Sequence, residues 1–221
     1  MNAHSEDAER GARTDRIVRH AGLDRAIHWL VAASVIALLA TGFLPILGLE
    51  FAWVTIHWAA GFVLIAVVAL HIVRAAFWQD WREVWIGPRD FRDAAAIVRA
   101  TLRAPGASLP RPGKYSFAQK FIHLAFAGVV LTAIATGALM MVKIDTPWWD
   151  RNPYWLTDAQ WGIVYVLHGL GALCLVTMVI VHIYFALRPE KLHFTRSMIL
   201  GWITREEYRA HHDSNRWQVR R

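Results

Sequence analysis

From Gln160 to Leu187 the chain runs for 28 residues without one Lys, Arg, Asp or Glu. A helix of that length rises roughly 42 Å, more than the ~30 Å of a bilayer's hydrocarbon core. No water satisfies backbone amides at that depth, so an uncharged run this long reads as a spanning helix. Ala26–Leu49, Phe51–Val73 and Phe121–Val142 are likewise free of charge. These windows hold nearly all of the apolar content, which is 56% of the sequence and comes in blocks rather than alternating. The expected fold is therefore an all-α membrane protein, a four-transmembrane-helix bundle with spans at about 26–46, 52–77, 118–142 and 159–187. It divides into an N-terminal segment (1–25), a transmembrane domain (26–187) and a C-terminal tail (188–221). The first window follows an Arg-rich stretch but is long and lacks a small-x-small cleavage site, so it counts as a span rather than a secretion signal.

Inside the fourth span sit His168 and His182, fourteen residues apart. At about 100° per residue that is just under four turns, so both imidazoles lie on nearly one face, ~21 Å apart along the axis. Neutral His in a span is costly unless satisfied, and a metal satisfies it directly. The spacing points to two metal centres stacked across the membrane, with haem iron the natural candidate for paired imidazoles in an apolar site. The competing reading is a pair of His hydrogen-bonded to neighbouring helices. Span two repeats the spacing with His57 and His71, span one opens with His28, and span three opens with His123. By depth, His57 and His168 form one outer pair, whereas His182 has a surplus of inner partners: His28, His71 and His123. Gly42, fourteen residues after His28, and Gly61, one turn after His57, leave space on those faces for a ring or another helix. Arg74, one turn after His71, is placed to meet a haem propionate or to snorkel to lipid phosphate.

Net charge is +7, but its distribution speaks against nucleic acid. Lys and Arg number five before span one, eight between Phe77 and the uncharged window of span three that starts at Phe121, and eight after span four; only Lys143 and Arg151 lie between spans three and four, and none between spans one and two. That is the positive-inside pattern, with both termini cytoplasmic and anionic lipid as the partner of the basic segments. Trp78, Trp81 and Trp85 mark the interface. Between Pro88 and Pro105 the positions Phe91, Ala94, Ala95, Val98 and Leu102 predict an amphipathic helix on the cytoplasmic surface, followed by an irregular loop through Pro105, Pro110 and Pro112. The first dozen residues read as disordered. Ser116-x-x-Gln119, Thr157-x-x-Gln160 and Thr204-x-x-Glu207 are capping boxes. His211 and His212 read as solvated surface residues, and the single Cys174 as a small packing residue. One thiol holds no iron–sulfur cluster, and no nucleotide loop, zinc motif or nucleophile elbow is present, so chemistry must come from a bound cofactor.

LDRAIHW in span one, IHWAAG opening span two, GKYSFAQK before span three, H-x13-HIY in span four and the tail motif EEYRAHH together resemble the cytochrome b (gamma) subunits of respiratory, membrane-bound formate dehydrogenases. These belong to a wider group that includes the b-type subunits of nickel–iron hydrogenases. The resemblance covers most of the chain after about residue 20, in order and with similar loop lengths. It implies a bundle enclosing two b-type haems in a bacterial inner membrane, noncovalently held since no C-x-x-C-H motif exists. Carried over, the outer haem iron takes His57 and His168 and the inner one His28 and His182, with His71 the alternative inner ligand. Electrons would come from an iron–sulfur subunit, fed by a catalytic molybdenum or tungsten subunit, and leave to menaquinone or ubiquinone at the cytoplasmic side. Such a chain is an electron-transfer subunit and no enzyme by itself. A quinone carbonyl needs hydrogen-bond donors and access to water, which Gly113, Tyr115 and Gln119 at the start of span three, beside His182, would supply. A hydrogenase subunit and a free-standing b561-type quinone oxidoreductase are the alternatives on the same scaffold.

Overall fold

Each uncharged window forms one long helix in the computed structural model, which describes residues 15–80, 83–103 and 109–219. The expected disorder of the first dozen residues, the interfacial Trp81 and the loop at Pro105 fall outside the described residues. Helices α1 (Gly22–Phe43), α2 (Trp53–Trp78), α3 (Pro88–Arg103), α4 (Phe117–Met140) and α5 (Asp158–Leu187) make up most of the chain. All of them except α3 are long and apolar enough to cross a membrane. Pro45 opens a 3-10 turn after α1, and Gly48 closes it at φ +88°, where its N–H donates to the Pro45 carbonyl. The capping boxes are in place at α4 and α5: the Gln119 side-chain oxygen accepts from Ser116 N–H at 2.9 Å, and that of Gln160 from Thr157 N–H at 2.9 Å.

The residues fall into two compact units, one of which comprises Ala26–Gln79 and Leu124–Tyr184. Its core has one residue from each spanning helix: Val35, Leu64, Val130 and Leu175 are buried together, with Val31, Val68, Phe126 and Val179 packed around them. Their positions share a rule. Val35 lies seven residues from His28 and from Gly42, Leu64 seven from His57 and from His71, and Leu175 seven from His168 and from His182. Seven residues is close to two helical turns, so each helix keeps one row facing the bundle axis, as in a coiled-coil seam. Val130 sits in the same register between His123 and Gly137. Most large apolar side chains elsewhere on these helices are exposed, as a lipid-facing surface requires. Cys174, expected to be a packing residue, is exposed: it is one step of about 100° off the inward Leu175.

The second unit draws on Met1–Arg25, Asp80–His123 and Phe185–Arg221. Here the all-α expectation needs correcting, because strands β1 (Arg16–Val18) and β2 (Trp202–Thr204) pair antiparallel with Ile17 opposite Ile203. Helices α6 (Leu192–Leu200) and α7 (Arg205–His211) flank β2. Gly201 turns the chain between α6 and β2 at φ +94°, and its carbonyl accepts from Arg19 N–H and His20 N–H at 2.8 and 3.1 Å. Ile17, Ile203 and Trp217 form a small core with Tyr208 against it. Thr204 caps α7 in a complete capping box with Glu207. At the start of α3, Asp90 is buried, accepting from Gly87 N–H at 2.8 Å and from Lys120 Nζ at 3.0 Å.

His212 is the other correction in this unit. Far from being solvated, it is 3% exposed. Its Nδ1–H donates to the Gly113 carbonyl at 2.6 Å, and its Nε2 accepts from Arg19 Nη1 at 2.8 Å. Arg19 reaches on to the Lys114 carbonyl at 2.8 Å. Burial, with the Arg19 charge beside the ring, pushes the His212 imidazole down to about 4, so it is neutral at pH 7. Burial also lowers Arg19 to about 10, which leaves it charged. His211 stacks on His193, ring centres 4.4 Å apart.

Candidate metal centres

The inward rows bring the spanning-helix histidines together in two places. On the α2–α5 side the rings of His57 and His168 face each other with centres 6.2 Å apart, inclined at 66°. Fourteen residues along each row, the rings of His28 and His182 lie 6.3 Å apart at 49°. The structure thus brings the His28 ring near His182; His71 is half-buried at the matching register of α2.

These separations carry chemical information. A metal–nitrogen bond to His is about 2.0 Å, and the imidazole centre lies about 1.2 Å behind the ligating nitrogen. Two rings on opposite sides of one metal are then about 6.4 Å apart, whereas two rings at a tetrahedral angle would be about 5 Å apart. The separations of both pairs, 6.3 and 6.2 Å, are close to the first of these values. Among the described residues no three His, Cys, Asp or Glu side chains gather as a metal site. Each ring pair could offer two imidazole nitrogens to one metal, and haem, which brings further nitrogens of its own, would suit so sparse a protein donor set.

The outer pair is further supported from α1 and α4. Thr41 Oγ1 lies 2.8 Å from His57 Nδ1, and Thr136 Oγ1 lies 2.9 Å from His168 Nδ1. Both threonines are buried, at 4% and 5% exposure. Each precedes a glycine that makes room for the ring: a Cβ on Gly42 would sit 3.9 Å from His57 Cε1, and one on Gly137 only 3.3 Å from His168 Cε1. The two threonines and Gly137 escaped the sequence reading, although a signal existed. Ala40-Thr41-Gly42 and Ala135-Thr136-Gly137 are the same tripeptide in two different spans. Around the inner pair the flanking groups are aromatic, with His28 edge-on to Trp29 and His182 edge-on to Phe126.

The other expected site residues are placed as follows. A Cβ on Gly61 would meet nothing within 4 Å, so open space adjoins α2 there. Arg74 is half-buried near the end of α2. In the second unit the Gly113 carbonyl is taken by His212, and a Cβ at this position would lie 3.1 Å from the Arg216 carbonyl oxygen. Tyr115 is half-buried, with the Lys114 ammonium 5.4 Å and the Arg19 guanidinium 5.6 Å from its ring centre.

A family model for prokaryotic cytochrome b561 matches residues 19–201, a stretch that contains all four rings of the two opposed pairs. The chain belongs to the prokaryotic cytochrome b561 family. Its curated relatives include the formate dehydrogenase cytochrome b556 subunit of Haemophilus influenzae, 25% identical over 217 residues, covering 91% of this chain and 82% of that one. The formate dehydrogenase cytochrome b556(fdo) subunit of Escherichia coli K12 is 24% identical over 219 residues and 93% of each chain. Membership of the b561 family implies haem b, and the opposed imidazoles fit that group. With four helices of spanning length, this cytochrome b561 is a multi-pass membrane protein.

Proposed function

We propose that the chain is the dihaem cytochrome b membrane subunit of a respiratory formate dehydrogenase complex, which takes electrons from an iron–sulfur subunit and delivers them to quinone. The observation that carries this reading is the two opposed His pairs, 6.2 and 6.3 Å between ring centres, one at each end of the inward rows. The names of the relatives support formate as the electron source. His57 with His168, and His28 with His182, would hold haem, which would supply reversible one-electron storage. The polypeptide holds the rings, excludes water through the Val35, Leu64, Val130 and Leu175 layer, and leaves open space at Gly61. Arg74, near the end of α2, would be the residue to meet a haem propionate.

The orientation follows the positive-inside count: a bacterial inner membrane with both termini in the cytoplasm. Quinone is reduced on that side, at the segment from Gly113 to Gln119. Desolvation raises the Tyr115 hydroxyl above its ordinary value, so it stays a proton donor, and the adjacent Lys114 and Arg19 charges favour a reduced quinone oxygen. Gln119 uses its carbonyl as a cap and keeps its NH2 group as a donor.

Isolation of the complex in mild detergent tests the reading. The expected result is two extractable haems per chain, with an iron–sulfur protein and a molybdenum or tungsten subunit copurifying. One haem or none would overturn it. A nickel–iron partner would move the chain to the hydrogenase group, and quinone turnover by the chain alone would make it a free-standing oxidoreductase. Tyr115→Phe and Gln119→Ala are expected to leave both haems reducible and to slow their reoxidation by quinone; unchanged reoxidation would move the quinone site elsewhere.

A further inference from the structure

The geometry points to Thr41 and Thr136 as positioning residues that set which nitrogen of each outer imidazole carries the proton and which is free to bind a metal. A hydroxyl has one proton to donate. Thr41 Oγ1 lies 2.7 Å from the Ala37 carbonyl and 3.1 Å from that of Leu38, one turn back on its own helix. Thr136 Oγ1 repeats this with the Thr132 carbonyl at 2.7 Å and that of Ala133 at 3.2 Å. Carbonyl oxygens only accept, so each hydroxyl proton is committed to its own backbone. The oxygen's lone pairs then receive the third neighbour, the imidazole Nδ1 at 2.8 or 2.9 Å. Nδ1 must therefore carry the ring proton, and the Nε2 lone pair is the one left available to a metal. Both threonines are buried, so water does not replace the contact. The device occurs twice: α1 holds the ring from α2, and α4 holds the ring from α5.

This inference rests on the haem reading above and adds a consequence that packing alone does not have. A hydrogen bond from Nδ1–H to an acceptor makes the imidazole a stronger donor to the metal and favours the oxidised iron. The two threonines thus hold the outer centre more reducing than the same ligands would be without them.

The test is a redox titration of the detergent-solubilised complex followed by visible absorbance, with the outer component identified by its loss in His57→Ala. Thr41→Val and Thr136→Val keep the side-chain shape and remove the hydroxyl, whereas Thr41→Ser and Thr136→Ser keep it. Each Val variant is expected to shift the outer ferrous-to-ferric equilibrium toward ferrous on the order of tenfold, about 59 mV for a one-electron couple, and to leave the inner component in place. The Ser variants are expected to titrate as wild type. Loss of the outer haem in the Val variants with retention in the Ser variants would support the same assignment. An unmoved outer equilibrium in both Val variants would overturn it, as would equal effects of Ser and Val, which would make volume rather than the hydroxyl responsible. A wild-type complex without haem, or a His57→Ala variant that keeps both, would sink the haem reading and this assignment with it.

Discussion

A methyl group separates glycine from alanine, and at position 137 that methyl would lie 3.3 Å from His168 Cε1, closer than side chains ordinarily pack. Gly137→Ala should therefore displace the ring and weaken outer haem binding by roughly tenfold or more, despite the ~1 kcal/mol by which alanine favours a helix. Gly42→Ala meets His57 Cε1 at an ordinary 3.9 Å and should keep its haem. Haem content per chain in the two variants checks the contrast, and full occupancy in Gly137→Ala would refute it. His212 sets a second expectation at this scale. Its folded value is about 4 against an ordinary 6.5, so between these values the unfolded chain binds the extra proton. The stability this group contributes is fully present above about pH 6.5 and is lost as pH falls toward about 4. His212→Gln, which cannot take up that proton, should flatten the acid limb of thermal stability in this range. An unchanged limb would mean that another group governs it.

Among the elements, the two-stranded ribbon was the least legible in the sequence. Its strands are three residues long and nearly the whole chain apart, too short for an alternation to register. The α7 cap, by contrast, was readable because Thr204 and Glu207 satisfy each other within one turn. Ile203 is fully buried at the centre of the ribbon. Ile203→Ala should cost about 2–5 kcal/mol, as large-to-small core changes do. Protease cleavage at Arg205 and Arg209 should then begin at lower temperature than in wild type, while haem content stays unchanged. Wild-type protease resistance would show that the ribbon does not hold the tail. Helix α3 forms where its spacing predicted, with Phe91, Val98 and Leu102 exposed along it. Asp90 was not on the apolar stripe and is buried because Gly87 N–H and Lys120 pair with it.

For the whole molecule, orientation is the testable property. The proposed orientation, with both ends of the chain in the cytoplasm, rests on the Lys and Arg distribution. A reporter active only in the periplasm should stay silent when fused after Arg221 and become active when fused after Gly48, in the turn between α1 and α2. Activity after Arg221 would invert the topology and move the proposed quinone site to the other face. Family membership rests on residues 19–201, so it covers the spanning helices and the ends that flank them.

Span number, the caps and the spacing of the histidines along each helix were determined by the sequence alone, because each depends on local properties: absence of charge over about 20 residues, satisfaction within one turn, and a rise of about 1.5 Å per residue. Which rings face each other was not. His28 and His71 both satisfy the depth rule for His182, and it takes the packing of α1 near α5 to bring the His28 ring within 6.3 Å of it. The same holds for the two threonines. A hydroxyl in an apolar helix can bond its own carbonyl and nothing else, and it takes a neighbouring helix to bring an imidazole within 2.8 Å of Thr41. His212 is the opposite case, a residue that looked solvated until a tail folded back on Gly113 and Arg19 closed over it. Contacts of this kind join residues far apart in the chain, and no local pattern records them.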